Sequence, residues 1–405
     1  MTGERRAVIP DRIALQRDAF APARADPARF RRELPLGEAA WHDGVAQGAF
    51  GLPRRWRAGS ALDLDRIAPL AAAGGPMDGL LGPLVSDLPV PGLSADRPIS
   101  PKAIEKLLRC PHAFLLGQLL GFDEPAALPP QREIGQPAYG DLFHAVAAEF
   151  YAGHGASFCV RDRRLADWLA VADPIIDRAF DEFVKAYPLV GDAVRSQQRE
   201  RLRRDVRKLL AYDWNADEHT RFVAVERPFG EPAPVELPAG GRSLYLRGRI
   251  DRIDVSGQRS LVRDLKTGRA YPRIGKEADP HPTLDTQIAV YGLVVRLLAE
   301  EWEIPKRIAA AYAYFGRSGG VERSFREDFQ EALEPAARTW LDLAVRLLED
   351  RLFPRTPNPD DCKYCEFRPV CGSGVYERAA VLLAEGGGVL ADFASLKAGE
   401  PEEED

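Results

Sequence analysis

Two neighbouring runs place the strongest limit on the fold, because both have the alternating composition of β-strands and a single tight turn separates them. SLYLRGRIDRIDV spans residues 243–255 and RSLVRDL spans 259–265. Ser256-Gly257 lies between them as a hairpin turn signal. The sequence therefore predicts an antiparallel hairpin that carries several charged side chains.

Three of these charged side chains are predicted to share one face of the hairpin. Asp264 and Lys266 are two residues apart on the second strand, so both project to the same side. With the predicted two-residue turn, Asp251 lies opposite Val262 and diagonal to Asp264, about 7–8 Å away at the backbone. A one-residue change in loop length would turn Asp251 to the other face.

Two carboxylates and an amine on one face suit the hydrolysis of a phosphodiester. Carboxylates that bind Mg²⁺ place a Lewis acid beside the phosphate and lower the pKa of bound water. A lysine two residues along can orient that water or stabilise developing charge. An Asp-x-Lys pattern is also common by chance, so the same residues can be an ordinary surface ion-pair set.

Two helical segments carry further polar side chains. His144 lies in GDLFH, inside a helix predicted at 139–152, where a structural histidine is the common alternative. Gln287 and Tyr291 are four residues apart on an otherwise apolar helix predicted at 284–300, so their side chains are neighbours on one face. Packing alone can explain each of them, and it is their order along the chain that is specific.

The remaining pattern predicts an alternation of helices and strands. A helix begins after Ser100, a plausible N-cap followed by proline at the first helical position. Further helices are predicted at 165–187, 194–213 and about 330–352, and strands at 221–228 and 308–315. Short helix candidates lie at 11–20 and 25–33, and residues 71–98 have the composition of a linker. The phosphate-loop motif GxxxxGK[ST] does not occur.

Four of the five cysteines are candidates for one metal site. Cys362, Cys365 and Cys371 have the spacing C-x₂-C-x₅-C in a proline-rich stretch, and Cys110 lies far earlier in the chain. Four thiolates suit either an iron–sulfur cluster or tetrahedral zinc, and both alternatives stay open. Cys159 lies outside the pattern and is interpreted as an ordinary cysteine.

The order GDLFH, LRGRIDRID, LVRDLKTG and QIAVY resembles the RecB-family signature within the PD-(D/E)xK nucleases, most closely the C-terminal nuclease region of AddB-type helicase–nuclease subunits. The resemblance covers about residues 95–375 and implies an α/β fold, a central mixed sheet flanked by helices. It implies that the metal ligands are His144, Asp251, Asp264 and the carbonyl of Leu265. It implies that Lys266 is catalytic, supported by Gln287 and Tyr291, and that a [4Fe–4S] cluster binds Cys110, Cys362, Cys365 and Cys371.

The resemblance also sets the expected function and organisation. We expect a Mg²⁺- or Mn²⁺-dependent DNA exonuclease that acts on ends or single strands in double-strand break repair and recombination. A catalytically inactive DNA-binding scaffold subunit is the alternative. The expected domains are an extension at 1–95, the nuclease at 96–380 and an acidic tail at 381–405. AddB-type subunits carry a helicase-like region before the nuclease, which indicates a standalone or truncated version here and a separate helicase partner.

Charge and hydropathy limit the location and the partners. The net charge is −6, so the charge of the whole chain does not indicate nucleic-acid binding. Residues 195–208 nevertheless carry seven Arg/Lys and two acids, which indicates either a solvated helix face or a surface that follows phosphates. No apolar run is long enough for a membrane helix or a signal peptide, so a cytoplasmic protein without a membrane partner is expected.

Overall fold

The computed structural model describes residues 78–82, 88–122, 131–216, 220–268, 279–316, 321–325, 329–363, 365–371 and 375–398. All of them lie in Pro76–Asp405, one of the two units into which the chain divides. The short helices predicted at 11–20 and 25–33 lie outside the described residues. Within these residues, no helix is both long and apolar enough to cross a bilayer.

The first helix, α1, spans Pro101–Arg109 and begins where the sequence predicts. The Ser100 hydroxyl accepts a hydrogen bond from the Ala103 amide at 3.2 Å, and proline occupies the first turn. Its apolar stripe is fully buried, and the side chains of Leu107 and Leu108 are 0% exposed. Single helical turns follow at Pro111–Phe114 and Leu115–Leu119. The capped helix thus places Cys110 directly at its C-terminal end.

Three long helices form a layer on one face of the sheet. They are α2 (Gln136–Val160), α3 (Leu165–Ala186) and α4 (Gly191–Trp214). All three were predicted, but α2 is longer at both ends. It continues past Gly155, where the ring of Phe222 lies so close that a β-carbon would be 2.8 Å from it. That glycine lets the helix pack tightly on the first strand.

Seven strands complete the fold. Among the described residues, five strands form a mixed sheet in the order β1–β4–β5–β6–β7, in which β5 and β6 are parallel and the other pairs are antiparallel, and β2 and β3 form a two-stranded sheet. The strands are β1 (Thr220–Phe229), β2 (Val235–Ala239), β3 (Arg242–Leu246), β4 (Gly248–Ser256), β5 (Arg259–Lys266), β6 (Arg307–Tyr314) and β7 (Val321–Phe325). A mixed sheet flanked by helices was predicted, and this prediction is confirmed.

The turn between β4 and β5 begins one residue later than predicted. Gly257 and Gln258 form it, and Ser256 pairs with Arg259. The φ angle of Gly257 is 58°, a left-handed conformation that glycine adopts without steric cost. The turn therefore places glycine first, whereas the prediction placed it second.

This turn shifts the hairpin register by two residues. Val262 lies opposite Ile253, so the prediction that it faces Asp251 was wrong. Side chains alternate with a period of two, so a shift of two residues keeps every side chain on its predicted face. Asp251 still shares a face with Asp264, which is the feature that the site requires.

Helices on the second face enclose the larger core. They are α5 (Thr286–Leu298) and α6 (Glu334–Glu349), with α6 preceded by a helical turn at Phe329–Leu333. Both pack with α1 over the alternate side chains of the sheet, such as Ile253 and Val262. The other face of the sheet packs on α2–α4 through a second cluster that includes Leu265.

The chain continues as folded helices beyond residue 380. After short turns at Pro359–Cys362 and Arg368–Cys371, α7 (Val375–Glu385) and α8 (Val389–Ala398) follow. Leu390 and Phe393 are buried in the larger core. The sequence analysis assigned this stretch to an acidic tail, whereas the sequence of α8, VLADFASLKA, is mostly apolar. Of that stretch, only residues 399–405 lie outside the described part of the chain.

Candidate active site

The carboxylates of the β4–β5 hairpin meet at the end of the sheet nearest the first turns of α2. Asp251 accepts a hydrogen bond from the backbone amide of Leu265 at 2.8 Å. This bond ties the side chain of one strand to the backbone of the next, directly beside Asp264. Asp264 is 1% exposed and the Asp251 side chain is 14% exposed, so both carboxylates lie largely out of solvent.

His144 reaches the same place from α2. Its Nε2 lies 2.9 Å from the carbonyl oxygen of Leu265, and its Nδ1 lies 3.7 Å from a carboxylate oxygen of Asp251. The helix therefore brings an imidazole to the two predicted ligands of β4 and β5. His144, Asp251 and the Leu265 carbonyl, three of the four predicted ligands, lie together.

A further acid joins this group, and the sequence analysis missed it. Glu226 lies on β1, 3.5 Å from Nδ1 of His144. Possible ligand atoms of His144, Glu226 and Asp251 all lie within 4.8 Å of one another, close enough for one metal ion. The φ angle of Glu226 is 49°, an uncommon conformation for a residue other than glycine. Such strain is typical of functional positions.

Lys266 forms the other half of the site. Its Nζ lies 2.6 Å from an oxygen of Asp264 and donates a hydrogen bond to Oε1 of Gln287 at 3.2 Å. Gln287 in turn donates from Nε2 to the hydroxyl of Tyr291 at 3.0 Å. Gln287 and Tyr291, four residues apart on α5, thus form a chain of hydrogen bonds that ends at the Lys266 amine. Asp264 pairs with this lysine and is not a member of the three-ligand group.

The site holds an excess of negative charge. Burial raises the pKa of Asp251 to about 7, and the neighbouring charge of Asp264 adds to this rise. Burial by itself would lower the pKa of His144, but its hydrogen bond with Glu226 and the charges of Asp251 and Asp264 raise that pKa to about 9. Burial likewise opposes the charge of Lys266, yet Asp264 raises the pKa of its amine. A bound cation would relieve this repulsion, because it replaces protons on the same groups.

The four candidate cysteines converge at a second place. Cys110, Cys362, Cys365 and Cys371 line one cavity between the end of α1 and the turns at 359–371. Burial, and then the neighbouring cysteines, raise the pKa of Cys362 to about 12. Cys159 lies apart, on the cavity lined by Tyr212 and Arg252. The structure therefore places the four candidate ligands apart from the fifth cysteine.

Comparison with known families identifies the fold that carries this arrangement. The profile of the PD-(D/E)XK nuclease superfamily matches residues 98–372, which is more than half of the chain. This chain belongs to the PD-(D/E)XK nuclease superfamily. The match includes β4, β5 and the helices that carry His144 and Gln287, so the superfamily domain and the acidic site coincide.

Two curated relatives are similar to part of this nuclease-superfamily chain, and both are subunits of an ATP-dependent helicase/deoxyribonuclease. The one from Symbiobacterium thermophilum is 32% identical over 207 residues, covering 47% of this chain and 17% of that protein. The corresponding protein from Moorella thermoacetica is 27% identical over 215 residues, covering 49% and 17%. The chain thus spans about a sixth of the length of these relatives. The resemblance to AddB-type subunits is confirmed over about half of the chain.

Proposed function

We propose that this chain is a metal-dependent DNA nuclease that hydrolyses phosphodiester bonds as an exonuclease. The single observation that carries the proposal is the convergence of His144, Glu226 and Asp251 beside the Asp264–Lys266 pair. Membership of a nuclease superfamily and similarity to deoxyribonuclease subunits support it. The broader role that fits is end processing in double-strand break repair and recombination, in the cytoplasm, alongside a separate helicase.

The donor set of the site fits a divalent cation of the Mg²⁺ or Mn²⁺ type. Carboxylate and carbonyl oxygens are the ligands that Mg²⁺ and Mn²⁺ prefer, and the imidazole of His144 also suits transition metals. We assign His144, Asp251, Asp264 and the Leu265 carbonyl as ligands and add Glu226 to them. When bound, the cation polarises the phosphate and lowers the pKa of a bound water.

The protein's own groups then have distinct roles. Asp264 and Gln287 fix the Lys266 amine at the edge of the acidic group, 2.6 and 3.2 Å from its nitrogen. From there the ammonium can orient the attacking water and stabilise charge that develops on the phosphate. Tyr291 holds Gln287 in turn. Preorganised charge of this kind costs no rearrangement during the reaction.

Replacing Lys266 gives the most direct test. Lys266→Ala should lower the rate of Mg²⁺-dependent degradation of linear DNA on the order of 10²–10³-fold, because it removes one charge-stabilising donor. Oligonucleotides labelled at the 5′ or the 3′ end would show the loss and the direction of cleavage. Asp251→Asn is a second variant that should be equally inactive without removing the partner of Asp264.

Lys306→Ala is the matched control, because Lys306 is an exposed lysine paired with Glu300 at 2.9 Å, and it should keep the wild-type rate. Wild-type protein that binds DNA but cleaves it no faster than Lys266→Ala, with either metal, contradicts the nuclease. That result would favour a catalytically inactive DNA-binding scaffold.

We further propose that the four cysteines hold a [4Fe–4S] cluster. All four cysteines belong to the described residues and line one cavity. Four thiolates also suit tetrahedral zinc, which is the alternative. A cluster here would tie the end of α1 to the turns at 359–371 and stabilise the domain.

Metal analysis separates the two groups. Anaerobically purified protein should be brown and hold about four irons per chain, and Cys362→Ser should lose both colour and iron. Cys159→Ser is the matched control and should keep them. Stoichiometric zinc without iron in the wild type would contradict the cluster.

A further inference from the structure

The helix α4 presents arginines on two flanks that differ in charge balance. Arg199, Arg203 and Arg207 follow one another at helical spacing on the flank that faces α3. They contact the α3 carboxylates Asp173, Asp177 and Asp181. Each cation therefore has a carboxylate on the neighbouring helix, and this flank offers little net charge to a ligand. Part of the basic cluster at 195–208 is thus a structural ion-pair ladder.

The opposite flank carries Arg201, Arg204 and Lys208. Among the described residues, one carboxylate, Asp205, lies within 4 Å of these three cations. Its side chain is 3% exposed and also accepts a hydrogen bond from the Tyr139 hydroxyl at 2.7 Å. This flank therefore keeps an excess of two positive charges, although the chain as a whole is acidic.

The same flank is held in fixed positions. The Arg201 guanidinium stacks on the ring of Tyr139 at 3.7 Å and donates to Oε1 of Gln136 at 3.2 Å. Lys208 donates to the carbonyl oxygen of Gly316 at 2.7 Å. Arg204 remains 60% exposed, with Asp205 at 3.7 Å. Stacked, tethered cations lose less freedom on binding phosphate than mobile ones.

This flank adjoins the strand that carries the candidate site. Gly316 lies against the backbone of Thr267, the residue after Lys266, where a β-carbon would be 1.9 Å from the Thr267 carbonyl oxygen. The side-chain amide of Gln136 lies near Gly268, where a β-carbon would be 3.8 Å from its nitrogen. Tyr139 precedes His144 by five residues on α2, which is about 7.5 Å along the helix. The cations therefore lie near the residues that directly follow β5, the strand that carries Asp264 and Lys266.

We propose that Arg201, Arg204 and Lys208 form a phosphate-binding surface that guides a single strand of DNA into the site. This inference rests on the proposed nuclease function, since that function makes DNA the ligand. Arg201 and Arg204 contact the backbone phosphates next to the bond that is cleaved, and Lys208 adds charge from its fixed position. Contacts of this kind are independent of base sequence and weaken with salt.

The test compares the two flanks of the one helix. Binding of a fluorescein-labelled oligothymidylate of about 20 nucleotides is measured by anisotropy in EDTA over a series of NaCl concentrations. For Arg201→Gln/Arg204→Gln, the slope of log K against log [NaCl] should fall by about 1.4, and affinity near 50 mM NaCl should fall on the order of tenfold. Arg204→Gln alone, which changes an exposed side chain, should lower the slope by about 0.7.

Arg199→Gln/Arg207→Gln is the matched control, because it removes two positive charges from the same helix on the neutralised flank. It should bind within about twofold of wild type with an unchanged slope. Equal effects of the two double variants, or no effect of either, would overturn the surface. Melting temperatures of all variants show whether each is folded.

Cleavage of the same oligonucleotide with Mg²⁺ is scored separately. Wild type that binds with a steeper slope than Arg201→Gln/Arg204→Gln but does not cleave contradicts the nuclease and retains the surface. Wild type that cleaves, while Arg201→Gln/Arg204→Gln binds as it does, contradicts the surface alone.

Discussion

The two faces of the β4–β5 hairpin use similar charged residues for opposite purposes. Alternate residues of the same two strands point to opposite sides, so Arg252 and Arg263 are neighbours in sequence of Asp251 and Asp264 but lie on the other face. On that face Asp213 of α4 receives both guanidinium groups, Arg263 at 2.7 Å. The two faces differ in the balance of positive and negative charge and not in the types of residue that they carry.

The face away from the site, which we call the closed face, carries a network of charges that are buried and paired with one another. Arg252 is 1% exposed, stacks on the ring of Tyr151 at 4.0 Å and pairs with Asp254 at 2.9 Å as well as with Asp213. Two arginines thus face two aspartates. Burial by itself would raise the pKa of Asp213, but Arg252 and Arg263 lower it. The positive and negative charges of this cluster therefore balance.

The face that carries the site brings three carboxylates close together. There Glu226, Asp251 and Asp264 meet Lys266, His144 and the exposed Arg249, which lies 3.6 Å from Glu226, and the pKa of Asp251 is still raised to about 7. A neutral cluster stabilises the fold, whereas an acidic one stores repulsion that a cation can release. We expect variants of the two faces to differ in the same way, in stability for one and in metal response for the other.

The largest expected effect is on the closed face. Asp213→Ala leaves two buried guanidinium groups with one carboxylate between them, and should reduce the free energy of unfolding by about 3–5 kcal/mol. Urea denaturation measures it. Asp173→Ala is the control, because Asp173 pairs with Arg203 and Arg207 at the surface of α3, and it should cost less than about 1 kcal/mol. Equal losses in the two variants would contradict a closed network.

The second effect belongs to the site and depends on pH. The folded-state pKa of Asp251 is about 7 against 3.8 ordinarily, and that of His144 is about 9 against 6.5. Both values are raised, so both groups contribute stability at low pH that is lost as pH rises through the folded-state values. In EDTA, the melting temperature should therefore fall by a few degrees between about pH 5 and pH 8.

Mg²⁺ should reverse this trend, because metal and protons compete for the same groups. The rise in melting temperature on adding Mg²⁺ should be larger at about pH 8 than at about pH 5. Asp251→Asn should reduce both the pH dependence in EDTA and the response to Mg²⁺. A wild-type melting temperature that is indifferent to Mg²⁺ at both values would show that the acidic group is not a metal site.

The sequence predicted the face of each hairpin residue better than their pairing. Strand alternation alone places Asp251, Asp264 and Lys266 on one side, and that much is local. The register depends on which two residues form the turn, and Ser256-Gly257-Gln258 permits glycine in either position. In the structure Gly257 is the first residue of the turn. The strand pairing is therefore shifted by two residues from the predicted one, and each side chain keeps its predicted face.

The sequence did not predict Glu226 as a site residue, for a different reason. It comes from β1, whose pairing with β4 contains an irregularity between Phe222 and Ala224. Such a register shift cannot be read from strand composition, although it decides which face each later residue occupies. A signal did exist, since Glu226 is an acid in a strand whose neighbours are mostly apolar. The closed network was missed likewise, because Asp213 joins it from a helix far away in sequence.

The smallest expected effect concerns the hydrogen-bond chain that leads from Tyr291 to Lys266 inside the site. Tyr291→Phe removes the hydroxyl that holds Gln287, the hydrogen-bond partner of the Lys266 amine. It should cost about 0.5–1.5 kcal/mol of stability and lower turnover of linear DNA by about tenfold or less, because the amine is held less firmly. Tyr187→Phe removes a comparable hydrogen bond, from the Gly135 amide at 3.1 Å, and should leave turnover unchanged. If both variants lose stability to a similar degree but only Tyr291→Phe slows cleavage, Tyr291 acts through the position of Lys266. If the two slow cleavage equally, the effect is one of general stability and the hydrogen-bond chain has no role in the reaction.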